Sequence, residues 1–217
     1  MTGAPQAVAF DFDGTLVDSA PSILLSMKLA LEKNRIDPVV PMTADIIGPP
    51  LKQTLSLISG SQDEDLLAQL VQDFKQCYDQ GGYRDTAPYP GISVLLARLA
   101  EQGCQLYLAT NKRAIPTRLI LNHLGWSGFF AATYCLDEWP QCRDKGEMLA
   151  QLLDQHHLDG RNIPYVGDTD GDASAAKKNR MPYIHVDWGY GDRPHSPSYA
   201  CTNADHLFAL LKEQPCI

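Results

Sequence analysis

Short apolar runs alternate with amphipathic stretches along most of the chain. Five runs have the length and composition of buried strands, at residues 6–12, 105–110, 131–135, 163–166 and 183–186. Four stretches carry apolar residues at helical spacing, at 92–102, 115–124, 145–157 and 172–179. Such alternation is typical of a parallel sheet with helices on both faces. It predicts an α/β fold with a doubly wound parallel sheet, followed by a Gly- and Pro-rich loop at 188–197 and a closing helix at 204–212.

The interval between the first and second predicted strands has a different pattern. Apolar residues recur there at three- and four-residue spacings, which predicts helical segments at 22–34, 43–47, 51–58 and 63–80. A helical block at this place is interpreted as a cap inserted over the carboxyl ends of the strands. We therefore expect an α/β core domain formed by residues 1–17 and 84–217, and an α-helical cap domain formed by residues 18–83.

Composition narrows the class of partner. The 217 residues include 26 acidic side chains against 18 lysines and arginines, which gives a formal net charge of −8. This charge argues against nucleic acid or an anionic membrane as the main partner. No apolar run approaches the length of a membrane span, and the first residues lack a basic segment followed by an apolar one. We expect a cytoplasmic protein, either a monomer or a homodimer.

Two carboxylates stand where the first predicted strand should end. Asp11 and Asp13 follow the apolar run and precede Gly14 and Thr15, which indicate a turn. Side chains two residues apart share one face of an extended strand. Two unpaired acids are costly in a core, so the pair indicates a site for a cation or an activated carboxylate. A polar loop with two solvated acids is the simpler alternative.

Further polar clusters fall at the ends of other predicted strands or at the start of a helix. Thr110, Asn111 and Lys112 follow the second strand, and the acidic segment 167–172 follows the fourth. Lys145 begins a predicted helix. Open α/β sheets bind ligands at the carboxyl ends of their strands. Each cluster alone is weak evidence, but their joint occurrence with the acid pair favours a catalytic site.

The chemistry of these groups fits the transfer of a phosphoryl group. Asp11 is the candidate nucleophile, which forms an aspartyl-phosphate. Asp13 is the candidate acid for the leaving group and the candidate base for the attacking water. Asp11, Asp168 and Asp172 offer hard oxygen ligands for Mg²⁺. The groups expected to hold the transferring phosphoryl are the Thr110 hydroxyl, the Asn111 backbone N–H and the Lys145 ammonium.

The same residues resemble the motifs of the haloacid dehalogenase superfamily of phosphohydrolases, in the branch with a helical cap that is similar to phosphoglycolate phosphatase. Segments 11–19 and 109–112 resemble the first two motifs, Lys145 the third and 167–172 the fourth. The resemblance implies a Rossmann-like core, Mg²⁺ as cofactor, a phosphate-binding role for Gly14, and a backbone carbonyl of Asp13 on the metal. Relatives that cleave carbon–halogen bonds or phosphonates lack an acid at the position of Asp13, so its presence favours phosphate esters.

Two of the candidate residues have rivals. Lys145 is followed by Gly146 and Glu147 instead of the proline-containing turn of the family, and this leaves Arg143 as a second candidate for holding phosphate. In the acidic segment, either Asp170 or Asp172 is the acid nearer to the metal.

Substrate specificity is expected to lie in the cap. Residues 48–52 resemble the loop that this type of cap lowers over the active site, so Pro49 is expected near the substrate. Lys52 or Arg84 is expected to meet a second anionic group of the substrate. A helix break with a surface charge is the alternative reading of the same segment.

The leading hypothesis is a Mg²⁺-dependent phosphatase that hydrolyses a small phosphorylated metabolite, such as a phosphoglycolate-like ester, a nucleotide or a sugar phosphate. A sugar-phosphate mutase is the first alternative, because the same core can return the phosphoryl group to another hydroxyl. A phosphorylated signalling receiver without turnover is a less favoured one, since receivers are shorter and carry no helical cap.

Overall fold

The computed structural model describes residues 5–192 and 199–213. Within them, the strands are β1 (Ala7–Phe10), β2 (Val17–Asp18), β3 (Ala87–Pro88), β4 (Gln105–Thr110), β5 (Phe130–Cys135), β6 (Tyr165–Gly167), β7 (Tyr183–Val186) and β8 (Tyr199–Cys201). The helices are α1 (Ala20–Lys33), α2 (Leu51–Ser59), α3 (Glu64–Gln80), α4 (Ile92–Glu101), α5 (Ala114–His123), α6 (Lys145–Gln155), α7 (Asp170–Lys178) and α8 (Ala204–Glu213).

Six of the strands form one sheet in the order β5-β4-β1-β6-β7-β8. Every pairing in this sheet is parallel. The chain starts at the centre, builds one half of the sheet through β4 and β5, and then crosses back to build the other half through β6, β7 and β8. The predicted doubly wound α/β fold is confirmed.

Period-two alternation distributes the side chains of the sheet between two hydrophobic clusters. On one face, Val8 and Phe10 of β1 pack with apolar residues of α4, α5 and α8. On the other face, Ala7 and Ala9 pack with residues of α6 and α7. All four side chains of β1 are fully buried. A strand buried on both faces has a continuous apolar sequence, which is why the run Ala7–Phe10 contains no polar residue.

The helices between β2 and β3 have a hydrophobic cluster of their own. This segment, residues 19–86, is called the helical insertion below; its helices α1, α2 and α3 share a cluster that includes Met27, Leu55 and Leu70. The insertion is joined to the rest of the chain by a two-stranded antiparallel ribbon, in which Val17 pairs with Pro88. The division into core and cap domains stays a prediction, and this separate cluster is compatible with it.

Several predicted boundaries differ from the observed ones. Strand β1 ends at Phe10, two residues before the predicted end, because the Phe12 carbonyl accepts the N–H groups of residues 15, 16 and 17 and turns the chain. The predicted helix at 43–47 is a short 3₁₀ turn, Ala44–Ile46. Strand β8 was not predicted, because a three-residue edge strand has too few positions to show alternation.

The end of the chain bears on two further expectations. The predicted loop at 188–197 is described up to residue 192, and its remaining residues lie outside the described part. Among the described residues, no helix combines the length and the apolar character needed to cross a bilayer.

Candidate active site

Three buried carboxylates meet at the carboxyl ends of β1 and β6. Asp11 follows β1, Asp168 follows β6, and Asp172 lies in the first turn of α7. One oxygen from each lies within 4.8 Å of the others, and each of the three residues is at most 5% exposed. The parallel sheet brings them together because β1 and β6 are adjacent and end at the same edge.

Asp11 is positioned by the turn that ends β1. Its backbone N–H donates to the Val166 carbonyl at 2.8 Å, which ties the residue to β6 although it lies just beyond the strand. Its Oδ1 accepts a hydrogen bond from Lys145 Nζ at 2.8 Å. The chain then turns at Gly14, whose φ of 81° lies in the left-handed region.

Asp168 is enclosed by two glycines and held by two donors. Thr15 Oγ1 donates to its Oδ1 at 3.1 Å, and the Tyr190 N–H donates to its Oδ2 at 2.8 Å. A Cβ added to Gly14 would lie 2.2 Å from Asp168 Oδ2, and one added to Gly189 would lie 2.1 Å from its Cβ. Both positions therefore require glycine for the carboxylate to fit, and the loop after β7 helps to fix the site.

Asp172 caps the start of α7 and also contacts Lys145. Its Oδ2 accepts from the Thr169 N–H at 3.0 Å and from the Thr169 hydroxyl at 2.6 Å. The first of these bonds and the bond from the Asp172 N–H to Thr169 Oγ1 at 3.2 Å form a capping box at the start of α7. Asp172 Oδ1 accepts from Lys145 Nζ at 2.6 Å. Helix α7 begins two residues earlier than predicted because this box starts it at Asp170.

Within residues 5–192 and 199–213, Lys145 supplies the one ammonium that contacts this cluster. It is 8% exposed at the start of α6 and bridges Asp11 and Asp172. Although burial alone lowers the pKa of an ammonium, the charges of Asp11 and Asp172 hold the pKa of Lys145 above its usual range.

The three carboxylates outnumber the one cation beside them. Burial, followed by the charges of Asp172 and Asp168, raises the pKa of Asp11 to about 8 even though Lys145 lowers it. Burial and the charge of Asp172 raise the pKa of Asp168 to about 6. Crowded, desolvated carboxylates of this kind are stabilised in the ionised form by another cation.

This donor set fits a hard divalent cation. All three candidate ligand groups are carboxylates, and oxygen ligands are the ones that Mg²⁺ prefers. Burial is the main reason that the pKa values of Asp11 and Asp168 are raised, and the neighbouring carboxylates raise them further. A divalent cation would neutralise part of that carboxylate charge. The predicted group of Asp11, Asp168 and Asp172 is thus brought together by the fold.

Asp13 points to a different set of partners. The Lys112 ammonium donates to both of its oxygens, at 3.0 and 3.2 Å, and Ser19 Oγ donates to Oδ1 at 2.5 Å. Lys112 also donates to the Tyr78 hydroxyl of α3 at 2.9 Å. The turn after β1 therefore separates the two acids: Asp11 contacts Lys145, and Asp13 contacts Lys112.

The segment after β4 contributes the other predicted phosphate-binding groups. Thr110 is buried at the end of β4, and its hydroxyl accepts the Lys112 N–H at 3.2 Å. Asn111 donates through Nδ2 to the Gly48 carbonyl of the helical insertion at 2.9 Å. The Asn111 Oδ1 atom is buried and has no hydrogen-bond partner among the described residues. Thr110 and Asn111 line the same cavity as Asp11 and Asp13.

The structure separates the two pairs of rivals. Arg143 has a side chain that is 86% exposed and pairs with Glu147, whereas Lys145 is buried against Asp11. Asp170 is exposed at the start of α7, whereas Asp172 is fully buried in the carboxylate cluster.

Only one of the three predicted specificity residues lies at the cavities of the site. Pro49 lines the cavity beside Asp11 and also the neighbouring cleft. Lys52 is half-exposed and pairs with Glu64, and the exposed Arg84 lies over the Tyr83 ring. Neither cation lines the cavity next to Asp11. The Lys52 side chain extends from α2 toward Glu64, the first residue of α3.

Sequence reasoning did not assign three groups that support the site. Lys112 belongs to the segment 109–112 but has no predicted role, and Thr15 is predicted only as part of the turn after Asp13. Tyr190 supplies the N–H for Asp168, and its hydroxyl accepts the N–H groups of Ser19 and Ala20 at 2.7 and 2.9 Å. The signal for Lys112 is its position two residues after a strand-end threonine. The segment 188–191 resembles a late loop common in this branch of the family, but the sequence does not show that Tyr190 contacts Ser19 and Ala20, which are about 170 positions away.

Together, the parallel sheet, the strand-end carboxylates and the buried lysine define an α/β enzyme with an aspartate–lysine centre. The family model described as haloacid dehalogenase-like hydrolase matches residues 8–186. The chain belongs to that family of hydrolases, as its motifs predicted.

Several curated proteins are similar to this chain over most of its length. It is 30% identical to a 5′-nucleotidase of Pseudomonas aeruginosa, over 94% of this chain and 95% of the relative. It is 28% identical to a phosphoglycolate phosphatase of Vibrio parahaemolyticus, over 95% and 92%. It is also 33% identical to the tyrosine-protein kinase PtkA of Mycobacterium tuberculosis, over 87% of this chain but 64% of the relative.

Solved structures agree with these relatives. The crystal structure of a predicted phosphatase from Clostridium acetobutylicum superposes with a TM-score of 0.85 at 27% identity, over 97% of this chain and 99% of that one. The structure of Mycobacterium tuberculosis PtkA has a TM-score of 0.78 at 31% identity, over 96% and 98%. The predicted enzyme class, a haloacid dehalogenase-like phosphoric monoester hydrolase, is confirmed.

Proposed function

We propose that this chain is a Mg²⁺-dependent phosphatase that hydrolyses a small phosphorylated metabolite through an aspartyl-phosphate on Asp11. The observation that carries the proposal is the position of Asp11, which lies beside Lys145 and two further buried carboxylates and lines a cavity together with Asp13. A nucleophile, a proton donor and cations for phosphate charge are the groups that phosphomonoester hydrolysis requires.

In the first half of the reaction, an Asp11 oxygen attacks phosphorus and the bond from phosphorus to the ester oxygen breaks. Asp13 gives its proton to the departing alkoxide, which leaves as an alcohol. The hydrogen bonds from Lys112 and Ser19 orient Asp13 for this transfer. The phosphoryl group is then carried as a mixed anhydride on Asp11.

In the second half, a water oxygen attacks phosphorus and Asp13 takes a proton from that water. The bond from phosphorus to Asp11 breaks, inorganic phosphate leaves, and Asp13 is again protonated for the next turnover. One ester and one water molecule thus become one alcohol and one phosphate. Asp13 exchanges the acid and base roles between the halves, so no other proton carrier is needed.

The remaining groups orient and stabilise the transferring phosphoryl. Lys145 holds Asp11 in place and offers positive charge, and Thr110 and Asn111 line the same cavity as Asp11. The Gly14 turn, which directly follows Asp13, is proposed to contribute to phosphate binding. Asp11, Asp168 and Asp172, with the Asp13 backbone carbonyl, are the groups proposed to hold Mg²⁺. When bound, this ion neutralises the charge of the phosphate and of the surrounding carboxylates.

We further propose that the helical insertion acts as a cap that excludes water from this space. Three contacts support that role: the Asn111 amide with Gly48, the Lys112 ammonium with Tyr78, and the Arg113 guanidinium with Asp79. Each joins the insertion to a residue of the segment after β4 that lines the same cavity as Asp11. Exclusion of water strengthens the electrostatic interactions inside an active site.

The test is substitution of the nucleophile. With Mg²⁺ present, wild-type protein is expected to release phosphate from p-nitrophenyl phosphate, and Asp11→Asn is expected to lose that activity because an amide does not attack phosphorus. Asp154→Asn, an equal change at an exposed position of α6, serves as the control and is expected to keep full activity.

A second measurement tests the intermediate directly. After an acid quench with a phosphate-labelled substrate, wild-type protein is expected to carry label that is released at alkaline pH, and Asp11→Asn is expected to carry none. Normal turnover by Asp11→Asn would remove the proposed nucleophile. Isomerisation of a sugar phosphate without phosphate release would identify a mutase instead.

A further inference from the structure

A cavity between the sheet and the helical insertion opens directly onto the proposed nucleophile. Asp11, Asp13 and Thr110 form its polar floor. Its volume is about 60 Å³, and it is partly open to solvent. A substrate with its phosphate at Asp11 would place the atoms next to the phosphate against the lining of this cavity.

The walls that face the floor are apolar. They come mainly from the insertion and consist of Ile23, Met27, Ile47, Leu51, Phe74 and Tyr78. The Phe74 and Tyr78 rings are stacked, with centroids 5.3 Å apart and planes at 15°. Such walls gain free energy by burying apolar surface and offer few hydrogen bonds to a polar group.

Each of the two cations of the lining already has an acidic partner. The Lys112 ammonium is paired with Asp13, and its side chain is 6% exposed. The Arg113 guanidinium makes two hydrogen bonds to the Asp79 carboxylate, at 2.8 and 2.5 Å. A carboxylate or second phosphate on the substrate would have to displace one of these partners or remain unpaired in a desolvated space, and both are costly.

The neighbouring cleft offers no better place for a second anionic group. Its lining contains the carboxylates of Asp45, Asp144, Asp170 and Asp192 and the ammonium groups of two lysines. Both lysines are in ion pairs, Lys145 with Asp11 and Lys178 with Asp144. The negative charge of this cleft opposes the entry of polyanions.

From this geometry we infer that the preferred substrates are phosphomonoesters whose leaving group is uncharged and apolar, with a ring or branched chain that fills the Phe74–Tyr78 wall. The inference rests on the proposed phosphatase function and deepens it. Phosphoglycolate, whose leaving group carries a carboxylate, is expected to be a poor substrate. The class of reaction that supplies the substrate is phosphorylation of a neutral apolar alcohol.

The test compares two esters that differ in one charge. Benzyl phosphate and 4-carboxybenzyl phosphate have the same type of alkoxide leaving group, so their intrinsic reactivities are similar. With wild-type protein and Mg²⁺, kcat/KM for benzyl phosphate is expected to exceed that for 4-carboxybenzyl phosphate by about tenfold or more. Burying an unpaired charge in an apolar cavity costs at least as much free energy as placing a group of the wrong size there. Phosphoglycolate is expected to follow the carboxylated ester.

A variant of the wall sharpens the test. Leu51→Lys places an ammonium at the half-buried start of α2 and is expected to reduce or reverse the preference by stabilising the carboxylate of the second ester. Leu57→Lys, on the same helix but 52% exposed and outside the cavity lining, is the matched control and is expected to leave the preference unchanged. Thermal unfolding checks that both variants fold.

The outcomes separate this inference from the function on which it rests. Equal or higher kcat/KM for 4-carboxybenzyl phosphate, with p-nitrophenyl phosphate hydrolysed normally, would overturn the inference and leave the phosphatase proposal intact. Absence of hydrolysis for every ester would overturn the phosphatase proposal and the inference with it. The wild-type comparison decides the question even where Leu51→Lys does not fold.

Discussion

The strand ends of the sheet and the helical insertion each bury aspartate, but with opposite consequences. In the insertion, the Asp73 carboxylate accepts hydrogen bonds from Lys33 at 2.6 Å, Asn34 at 2.8 Å and Gln69 at 3.0 Å. The hydrogen bond from Lys33 is the main reason that the pKa of Asp73 is lowered to about 2. At the strand ends, Asp11 shares one ammonium with Asp172, and burial is the main reason that the pKa of Asp11 is raised to about 8.

The difference distinguishes a structural carboxylate from a functional one. Asp73 has enough donors to satisfy both of its oxygens, so its charge stabilises the fold of the insertion. Among the described residues, Asp11, Asp168 and Asp172 share one ammonium, and such a cluster is typical of a site that binds a cation. The core therefore carries the charge for the chemistry, whereas the insertion supplies an apolar wall for the leaving group.

The largest expected effect concerns the one ammonium of the core site. Lys145→Met is expected to lower kcat/KM for p-nitrophenyl phosphate by about 10³-fold, since groups that stabilise transition-state charge contribute on this scale. Arg143→Met removes a cation two residues away that is 86% exposed and is expected to have little effect. Steady-state kinetics of both variants check this, and an equal loss in the two would contradict the role given to Lys145.

The next prediction is that removing a buried aspartate charge changes the free energy of unfolding in opposite directions in the two regions. Asp73→Asn is expected to lower the free energy of unfolding by about 1–3 kcal/mol, because Lys33 then faces a neutral group and buried hydrogen bonds are weakened. Asp11→Asn is expected to raise it in EDTA at pH 8, because it removes one carboxylate from a crowded cluster.

Denaturant unfolding measures both variants, with Asp154→Asn as the exposed control. Destabilisation by Asp11→Asn in EDTA would mean that Lys145 alone neutralises the cluster, and the comparison between the two regions would fail.

A smaller effect is expected from the ammonium that links both regions. Lys112→Met removes the hydrogen bonds to Asp13 and to Tyr78, and kcat is expected to fall by about tenfold through loss of orientation of the acid/base. Tyr78→Phe removes the hydrogen bond between Lys112 and the insertion, together with a 3.4 Å contact to Thr86, but leaves Asp13 paired with Lys112. This variant is expected to retain most of kcat. The pH profile of kcat is the deciding readout, because a purely structural role for Lys112 would leave its shape unchanged.

The smallest effect is a change of stability with pH. Between about pH 4 and pH 8 the folded, metal-free protein keeps protons on Asp11 and Asp168 that the unfolded chain has released. Unfolding then releases protons, so rising pH favours unfolding, and Tm in EDTA is expected to fall by several degrees across this range. Asp73 acts in the opposite sense, since its contribution is lost as pH falls from about 4 toward 2.

Thermal unfolding with Mg²⁺ supplies the comparison for this prediction. The ion binds the ionised carboxylates, so the fall of Tm with rising pH is expected to be weaker in Mg²⁺ than in EDTA. Identical curves in the two solutions would argue against a divalent cation at this site.

Much of the sheet was predictable because its signals are local. A fully buried strand such as Ala7–Phe10 has a continuous apolar run, and amphipathic helices such as α4 and α6 show their spacing within a few turns. The short pieces β2, β3 and β8 were not predicted, since two or three residues contain no period. Arg143 has the same type of charged group as Lys145 and lies two residues away, and the same holds for Asp170 and Asp172. Sequence alone does not separate the members of these pairs, whereas burial in the folded chain does.

The sequence alone determined the types of group at the site and their order along the chain, because strand ends and motifs consist of consecutive residues. It placed Asp11 and Asp13 beside one turn. Only the tertiary structure decided that Asp11 and Asp13 have different partners. It also decided that Lys52 and Arg84 lie away from the cavity, and that the two cations of the cavity lining, Lys112 and Arg113, each pair with an aspartate. Those facts depend on contacts between residues distant in the chain, which composition and spacing do not encode.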